Sequence, residues 1–125
     1  MKTALHLFAV LTVAFVSASA SSQTTFDFDR YQVLDARVLT SDEMIAQADT
    51  SDALDLALEV AIGARTELYN YIEVVVGDTS IDAETLDALL QQRSLMALDL
   101  VKLYARRGDC GDATDWLQAA MRALH

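Results

Sequence analysis

Few side chains in this sequence can do chemistry, and those of the rarest types lie near the end of the chain. Cys110 is the only cysteine and Trp116 the only tryptophan, and one of the two histidines, His125, is the last residue. Hydrolytic or redox catalysis needs a base that titrates near neutral pH, an activated nucleophile or a metal ion. Because the sequence offers no such combination, it predicts a protein that is not an enzyme and that carries no cofactor.

The Cys110 thiol allows two interpretations. A lone cysteine in an exported protein is either a small inert hydrophobic side chain or one half of an intermolecular disulfide. Asp109 and Asp112 place negative charge beside it, which is the wrong environment for a nucleophilic thiol. We favour a buried or inert thiol and keep a disulfide-linked dimer through Cys110 as the alternative.

Carboxylates are numerous, but their spacing does not form a metal site. Asp55 and Glu59 lie one helical turn apart, as expected of a solvated stripe on an acidic helix. Asp109, Asp112 and Asp115 could attract calcium, although they lack the ligand spacing and the acidic twelfth position of an EF-hand loop. The sequence therefore predicts no metal ligands, and a calcium-dependent binding module stays open only as an alternative function.

The first 20 residues have the layout of a secretory signal peptide. Lys2 precedes an apolar run over residues 4–16, and the small residues Ala18, Ser19 and Ala20 follow. The run is shorter than the roughly 20 residues of a typical membrane-spanning helix. We predict cleavage after Ala20 and a protein of the periplasm or the extracellular space. A retained membrane anchor is the alternative, and membrane contact is expected only in that case.

The chain beyond Ala20 is strongly acidic. Lys2 is the only one of the nine basic residues before that point, whereas all 19 acidic residues follow it, so residues 21–125 carry a net charge of −11. Nucleic acids and anionic lipid surfaces repel such a charge and are not expected partners. A basic protein or cations would suit it better, but we favour the simpler interpretation that the acidity keeps a small exported protein soluble.

The composition favours helices in one small domain. The sequence contains no proline and only four glycines, which rules against the frequent turns of an all-β fold. We predict an all-α fold of about four helices, either a small antiparallel bundle or a set of helical hairpins. The helical domain is expected over residues 40–125.

An extended arm is predicted over residues 21–39. The alternation in Phe26-Asp27-Phe28-Asp29 is typical of extended backbone, with both aromatic rings on one side. Phe26 and Phe28 either cover the protein's own helices, which we favour, or contact a partner.

Capping signals divide the helical domain. Thr40 and Glu43 form a capping box that predicts a short first helix through Ala48. The second helix is expected over residues 52–76, and its narrow polar stripe predicts a central position in a bundle or a flank covered by a partner. Tyr69 and Tyr71 on this helix are candidate partner contacts.

Two further helices complete the prediction. Gly77 is expected to end the second helix in a left-handed conformation. The third helix is expected to end at Arg106-Arg107-Gly108, and Asp112 is expected to cap a last helix over residues 113–124.

The last 30 residues carry a recognisable pattern of small and aromatic side chains. The pattern consists of Leu100, Tyr104, Gly108-Asp109, Ala113, Trp116 and Ala120. It resembles a single helical hairpin of the tetratricopeptide or Sel1-like type over about residues 94–124. That resemblance implies a scaffold that binds proteins.

These observations together predict an exported, non-catalytic accessory or adaptor protein. It would bind another exported or membrane-complex protein through a helical face or through its N-terminal arm. An acidic inhibitor of a basic secreted enzyme is the alternative from a different functional class, since its charge would steer it to a basic surface.

Overall fold

The computed structural model describes residues 26–123, and these residues form four helices. Helix α1 spans Phe28–Gln47, α2 spans Ser51–Val75, α3 spans Ala83–Arg106 and α4 spans Cys110–Ala123. Short connections reverse the chain between successive helices, so that neighbours pack antiparallel. The predicted all-α bundle of about four helices is confirmed. The signal-peptide prediction for residues 1–20 lies outside the described residues.

Helix α1 corrects the prediction of an extended arm. The Asp27 carboxylate caps α1 by accepting hydrogen bonds from the amides of Asp29 at 2.9 Å and Arg30 at 3.2 Å. Residues 28–39 are therefore helical, so the extended arm is wrong there, and residues 21–25 lie outside the described part of the chain. The domain boundary at Thr40 and the predicted capping box both fall inside α1.

The sequence contains a helical signal for α1 that is longer than the strand-like alternation of Phe26-Asp27-Phe28-Asp29. Buried side chains recur at steps of three and four residues along the helix, at Phe28, Tyr31, Leu34, Val38 and Ser41. This helical period extends over four turns, whereas the strand-like alternation covers only four residues. The longer pattern determines the structure because it buries a continuous stripe.

Helix α2 lies between α1 and α3, which agrees with the first of the two interpretations of its narrow polar stripe. The Thr50 hydroxyl caps it by accepting from the amide of Ala53 at 3.0 Å. The helix packs against α1 on one side and α3 on the other, which accounts for its narrow polar stripe. Its observed bounds differ from the predicted 52–76 by one residue at each end.

The connections follow the predicted breaks with two corrections. Gly108 has φ +83° and is the only described residue with a positive φ, so the left-handed conformation predicted for Gly77 is wrong. Asp82 caps α3 by accepting from the Thr85 amide at 3.0 Å. Asp112 lies inside the first turn of α4, which begins at Cys110, and it is therefore not the cap.

Two clusters of apolar side chains form the core. The larger cluster joins α1, α2 and α3 through Phe26, Phe28, Tyr31, Leu34, Val38, Ala64, Leu68, Ile72, Val75, Leu89 and Met96. The smaller cluster joins α2 and α3 through Leu58, Ala61, Ile62, Leu100 and Leu103, and Tyr104 and Trp116 pack against it. None of the helices within residues 26–123 is long and apolar enough to cross a membrane.

Candidate functional site

An open groove runs along the surface between α1 and α2, and we call it the α1/α2 groove. It has a volume of about 530 Å³. Its apolar lining, together with one hydroxyl, comes from Val33, Ala36 and Thr40 of α1 and from Val60, Gly63 and Ala64 of α2. These positions recur at three and four residues, so each helix contributes one continuous stripe.

Several apolar side chains along the groove are partly exposed to solvent. Val33 is 47% exposed and Val60 is 39% exposed, although both lie beside buried neighbours. Leu56 continues the α2 stripe by one turn and is 56% exposed. A run of partly exposed apolar side chains in a concave surface is typical of an interaction site.

Gly63 determines the depth of this groove. A Cβ atom built on Gly63 would have no heavy atom within 4 Å, so a larger residue would fit there without a clash. Glycine inside a helix costs about 0.5–1 kcal/mol of stability relative to alanine. The absence of a side chain is therefore not required by packing, and its effect is to leave the floor of the groove open.

Charged residues form one end of the groove. The Glu67 carboxylate accepts from Arg30 Nη2 at 3.0 Å and from Arg37 Nη1 at 2.8 Å. All three side chains are between 42% and 53% exposed, so these ion pairs add little to stability. Their effect is to hold three charged groups beside the apolar floor.

A buried arginine fixes the helices that form the groove. Arg65 is 6% exposed and donates from Nη2 to Asp42 at 2.6 Å and from Nε to Asp99 at 3.0 Å. It also donates from Nη1 to the Ser41 hydroxyl at 3.3 Å, and that hydroxyl donates to the Val38 carbonyl at 2.7 Å. One side chain of α2 is thereby bonded to both α1 and α3.

Three of the four aromatic candidates for partner contacts make contacts within the chain. Phe26 is 3% exposed and Phe28 is 8% exposed, so both rings belong to the core and cover the protein's own helices, as the favoured interpretation predicts. The Tyr71 hydroxyl accepts from the Asp27 amide at 2.7 Å and donates to the Asp27 carbonyl at 3.0 Å. Tyr71 therefore ties the start of α1 to α2.

Tyr69 contacts α4 and remains partly accessible. Its ring meets the ring of Trp116 edge to face, with centroids 4.8 Å apart and an angle of 85° between the ring planes. Burial raises the pKa of the Tyr69 hydroxyl, and the negative charge of Glu73 raises it further. The hydroxyl is therefore neutral at physiological pH.

Cys110 is exposed at the first position of α4. The thiol is therefore not buried, and an inert exposed thiol is what remains of the favoured interpretation. The disulfide-linked dimer stays a prediction. Among residues 26–123, no group of three or more histidine, cysteine, aspartate or glutamate side chains is arranged to hold a metal ion.

The groove is not among the sites that the sequence predicts. Val33 falls in the predicted arm, and Val60 and Gly63 fall in the predicted second helix. The available signal was Gly63 itself, because a glycine in the middle of a strongly helical segment costs stability and calls for a packing or functional reason. No protein-family model, curated protein or solved structure matches this chain.

Proposed function

We propose that this chain is a non-catalytic accessory protein of the periplasm or the extracellular space, which binds a helix of another exported protein in the α1/α2 groove. The observation that carries the proposal is the open floor at Gly63 between the partly exposed side chains of Val33 and Val60. The export part of the proposal is based on the sequence of residues 1–20.

The shape of the groove favours a helix as the occupant. Two antiparallel helices form its walls, and Ala36, Gly63 and Ala64 keep its floor low. Small residues allow a helix backbone to approach closely. An amphipathic helix would contact such a groove through apolar side chains spaced three and four residues apart. The partner would therefore present an apolar stripe along one helix.

The charged end of the groove would orient the partner helix. Arg30, Arg37 and Glu67 together carry a net charge of +1, although residues 21–125 carry −11. A partner helix with an acidic residue beside its apolar stripe would place that residue at this end. Exposed charges of this kind change the association rate and the orientation more than the affinity.

A photo-crosslinking experiment tests the proposal. A photoreactive amino acid placed at Val33 in the full chain, in the native host, is expected to crosslink to one protein, with the adduct mapped by mass spectrometry to an amphipathic helix. The same probe at Leu98, which is 44% exposed on α3, is the control and is expected to give no such adduct.

A substitution that fills the groove sharpens the test. Gly63→Met puts a flexible side chain where a Cβ meets no atom, so it should abolish the Val33 adduct while the chain keeps its helical circular dichroism. Gly111→Met is the matched control, because Gly111 also has open space around it and lies on α4. An adduct that survives Gly63→Met, or one that forms equally from Leu98, would contradict binding in the groove.

A further inference from the structure

A second, smaller pocket lies where α2, α3 and α4 meet, away from the α1/α2 groove. It is lined by Tyr69 and Glu73 of α2, Arg93 of α3, and Ala119, Arg122 and Ala123 of α4. The pocket has a volume of about 120 Å³. That is more than the roughly 30 Å³ that one water molecule takes in the liquid, so the pocket has room for a small polar group.

The pocket contains more positive than negative charge. Two arginines and one glutamate line it, which gives a net charge of +1 on a strongly acidic chain. Arg93 Nη1 donates to Glu73 at 2.6 Å, and the negative charge of the same carboxylate raises the pKa of the Tyr69 hydroxyl. Glu73 is thus already paired with Arg93.

The two arginines keep unused donors. Arg93 Nε is buried and has no hydrogen-bond partner within residues 26–123, and Arg122 makes no ion pair with that part of the chain. A buried donor without a hydrogen-bond partner is destabilising, so a ligand that lets Arg93 adjust and form a hydrogen bond would recover part of the lost stability. Both guanidinium groups also lie close enough to Tyr69 to favour its ionised form.

We propose that this pocket binds one small oxyanion, a carboxylate or a phosphate group, between Arg93 and Arg122. The planar guanidinium group matches both ligands through paired N–H donors. The ligand is either an acidic side chain of a bound protein or a free phosphate, and the chemistry of recognition is the same. The pocket acts independently of the α1/α2 groove.

The chain contains its own reporter for this pocket. Trp116 is the only tryptophan, and its ring is in contact with the Tyr69 ring at the edge of the pocket. We therefore expect saturable changes in Trp116 fluorescence and in its indole N–H resonance when the full chain is titrated with inorganic phosphate or with acetate. Sodium chloride at matched ionic strength is the control for screening.

The two titrations distinguish the sources of the ligand. Saturation by phosphate alone identifies a phosphate site, whereas saturation by acetate identifies a site for acidic side chains, and either result supports the proposal. If neither anion changes the Trp116 signals more than sodium chloride does, the pocket does not bind oxyanions.

Substitutions test whether the anion binds between Arg93 and Arg122. Arg122→Gln should weaken binding about threefold to fivefold, as expected for a partly exposed charge pair. Arg106→Gln, which removes the same charge from an exposed position on α3, should leave binding unchanged. Glu73→Gln removes the competing negative charge and should tighten binding. Equal behaviour of Arg122→Gln and Arg106→Gln would overturn the proposal, and Arg122 is exposed enough that folding should persist in both variants.

Discussion

Arg65 and Gly63 lie two residues apart on α2 and show opposite uses of the same helix. Arg65 is a long charged side chain that is almost completely buried, and each of its three nitrogen atoms donates a hydrogen bond. Gly63 has no side chain, although the space around it would accept one. The first residue joins three helices, whereas the second leaves a surface open.

This difference separates stability from binding within one helix. The face of α2 that carries Arg65 is covered by α1 and α3, so its residues affect stability through the hydrogen bonds and ion pairs that they form. The face that carries Gly63 is not covered by any element among the described residues, so its residues are expected to affect the binding of a partner. Substitutions at the two positions should therefore change different measurable quantities.

The largest effect is expected at Arg65. Arg65→Ala removes the bonds to Asp42, Asp99 and Ser41 and should lower the free energy of unfolding by about 3 kcal/mol. That is the low end for a broken buried ion pair, because Asp42 is 49% exposed and Asp99 is 35% exposed, so water can reach both carboxylates. Urea unfolding followed by circular dichroism would measure the change.

A matched control tests whether burial is the cause. Arg37→Ala also removes an arginine that is paired with a carboxylate, but Arg37 is 53% exposed. Exposed ion pairs contribute about 0–1 kcal/mol, so this variant should lose much less stability than Arg65→Ala. Similar losses in the two variants would show that burial does not distinguish the Arg65 network from the charged end of the groove.

The fold was largely predictable from sequence because it depends on local signals. The narrow polar stripe of α2 and the turn at Gly108 can both be recognised from a few neighbouring residues. The structure differs from the predicted arm at α1 because a helical period of buried side chains extends over four turns there, whereas the alternation of aromatic and acidic residues covers only four residues.

The sites were much less predictable because they depend on which helices become neighbours. Nothing in the sequence around Arg65 indicates that Asp42 and Asp99 meet it from two other helices. The groove likewise requires the register between α1 and α2, which the sequence pattern of either helix alone does not contain. Phe26 and Phe28 were open to either interpretation until their burial was known.

A smaller effect of opposite sign is expected at Gly63. Gly63→Ala should raise the free energy of unfolding by about 0.5–1 kcal/mol, because alanine loses less backbone entropy in a helix and meets no neighbour here. Gly111→Ala, in the first turn of α4, should gain less, since the first turn is only partly constrained. A loss of stability in Gly63→Ala would mean that the groove is narrower than the structure shows.

The smallest effect is expected at Asp35, whose carboxyl group is buried in the core. Asp35 is 5% exposed. Burial raises the pKa of this carboxyl group above its ordinary value of 3.8, so the folded chain holds the proton more tightly than the unfolded chain does. The resulting stabilisation is complete below pH 3.8 and is lost as the pH rises through the raised pKa.

Asp35→Asn removes this pH dependence. At pH 7 it should raise the free energy of unfolding by no more than about 1 kcal/mol, which would appear as a slightly higher melting temperature. The advantage should disappear when both proteins are melted below pH 3.8, where Asp35 is protonated in the folded and unfolded states alike. Asp29→Asn, at an exposed position in the first turn of α1, is the control and should be neutral or slightly destabilising at pH 7. A melting temperature that Asp35→Asn lowers at pH 7 would mean that contacts stabilise the Asp35 carboxylate in the folded chain, as they stabilise Arg65. Burial alone would then not predict what a polar side chain of this core contributes to stability.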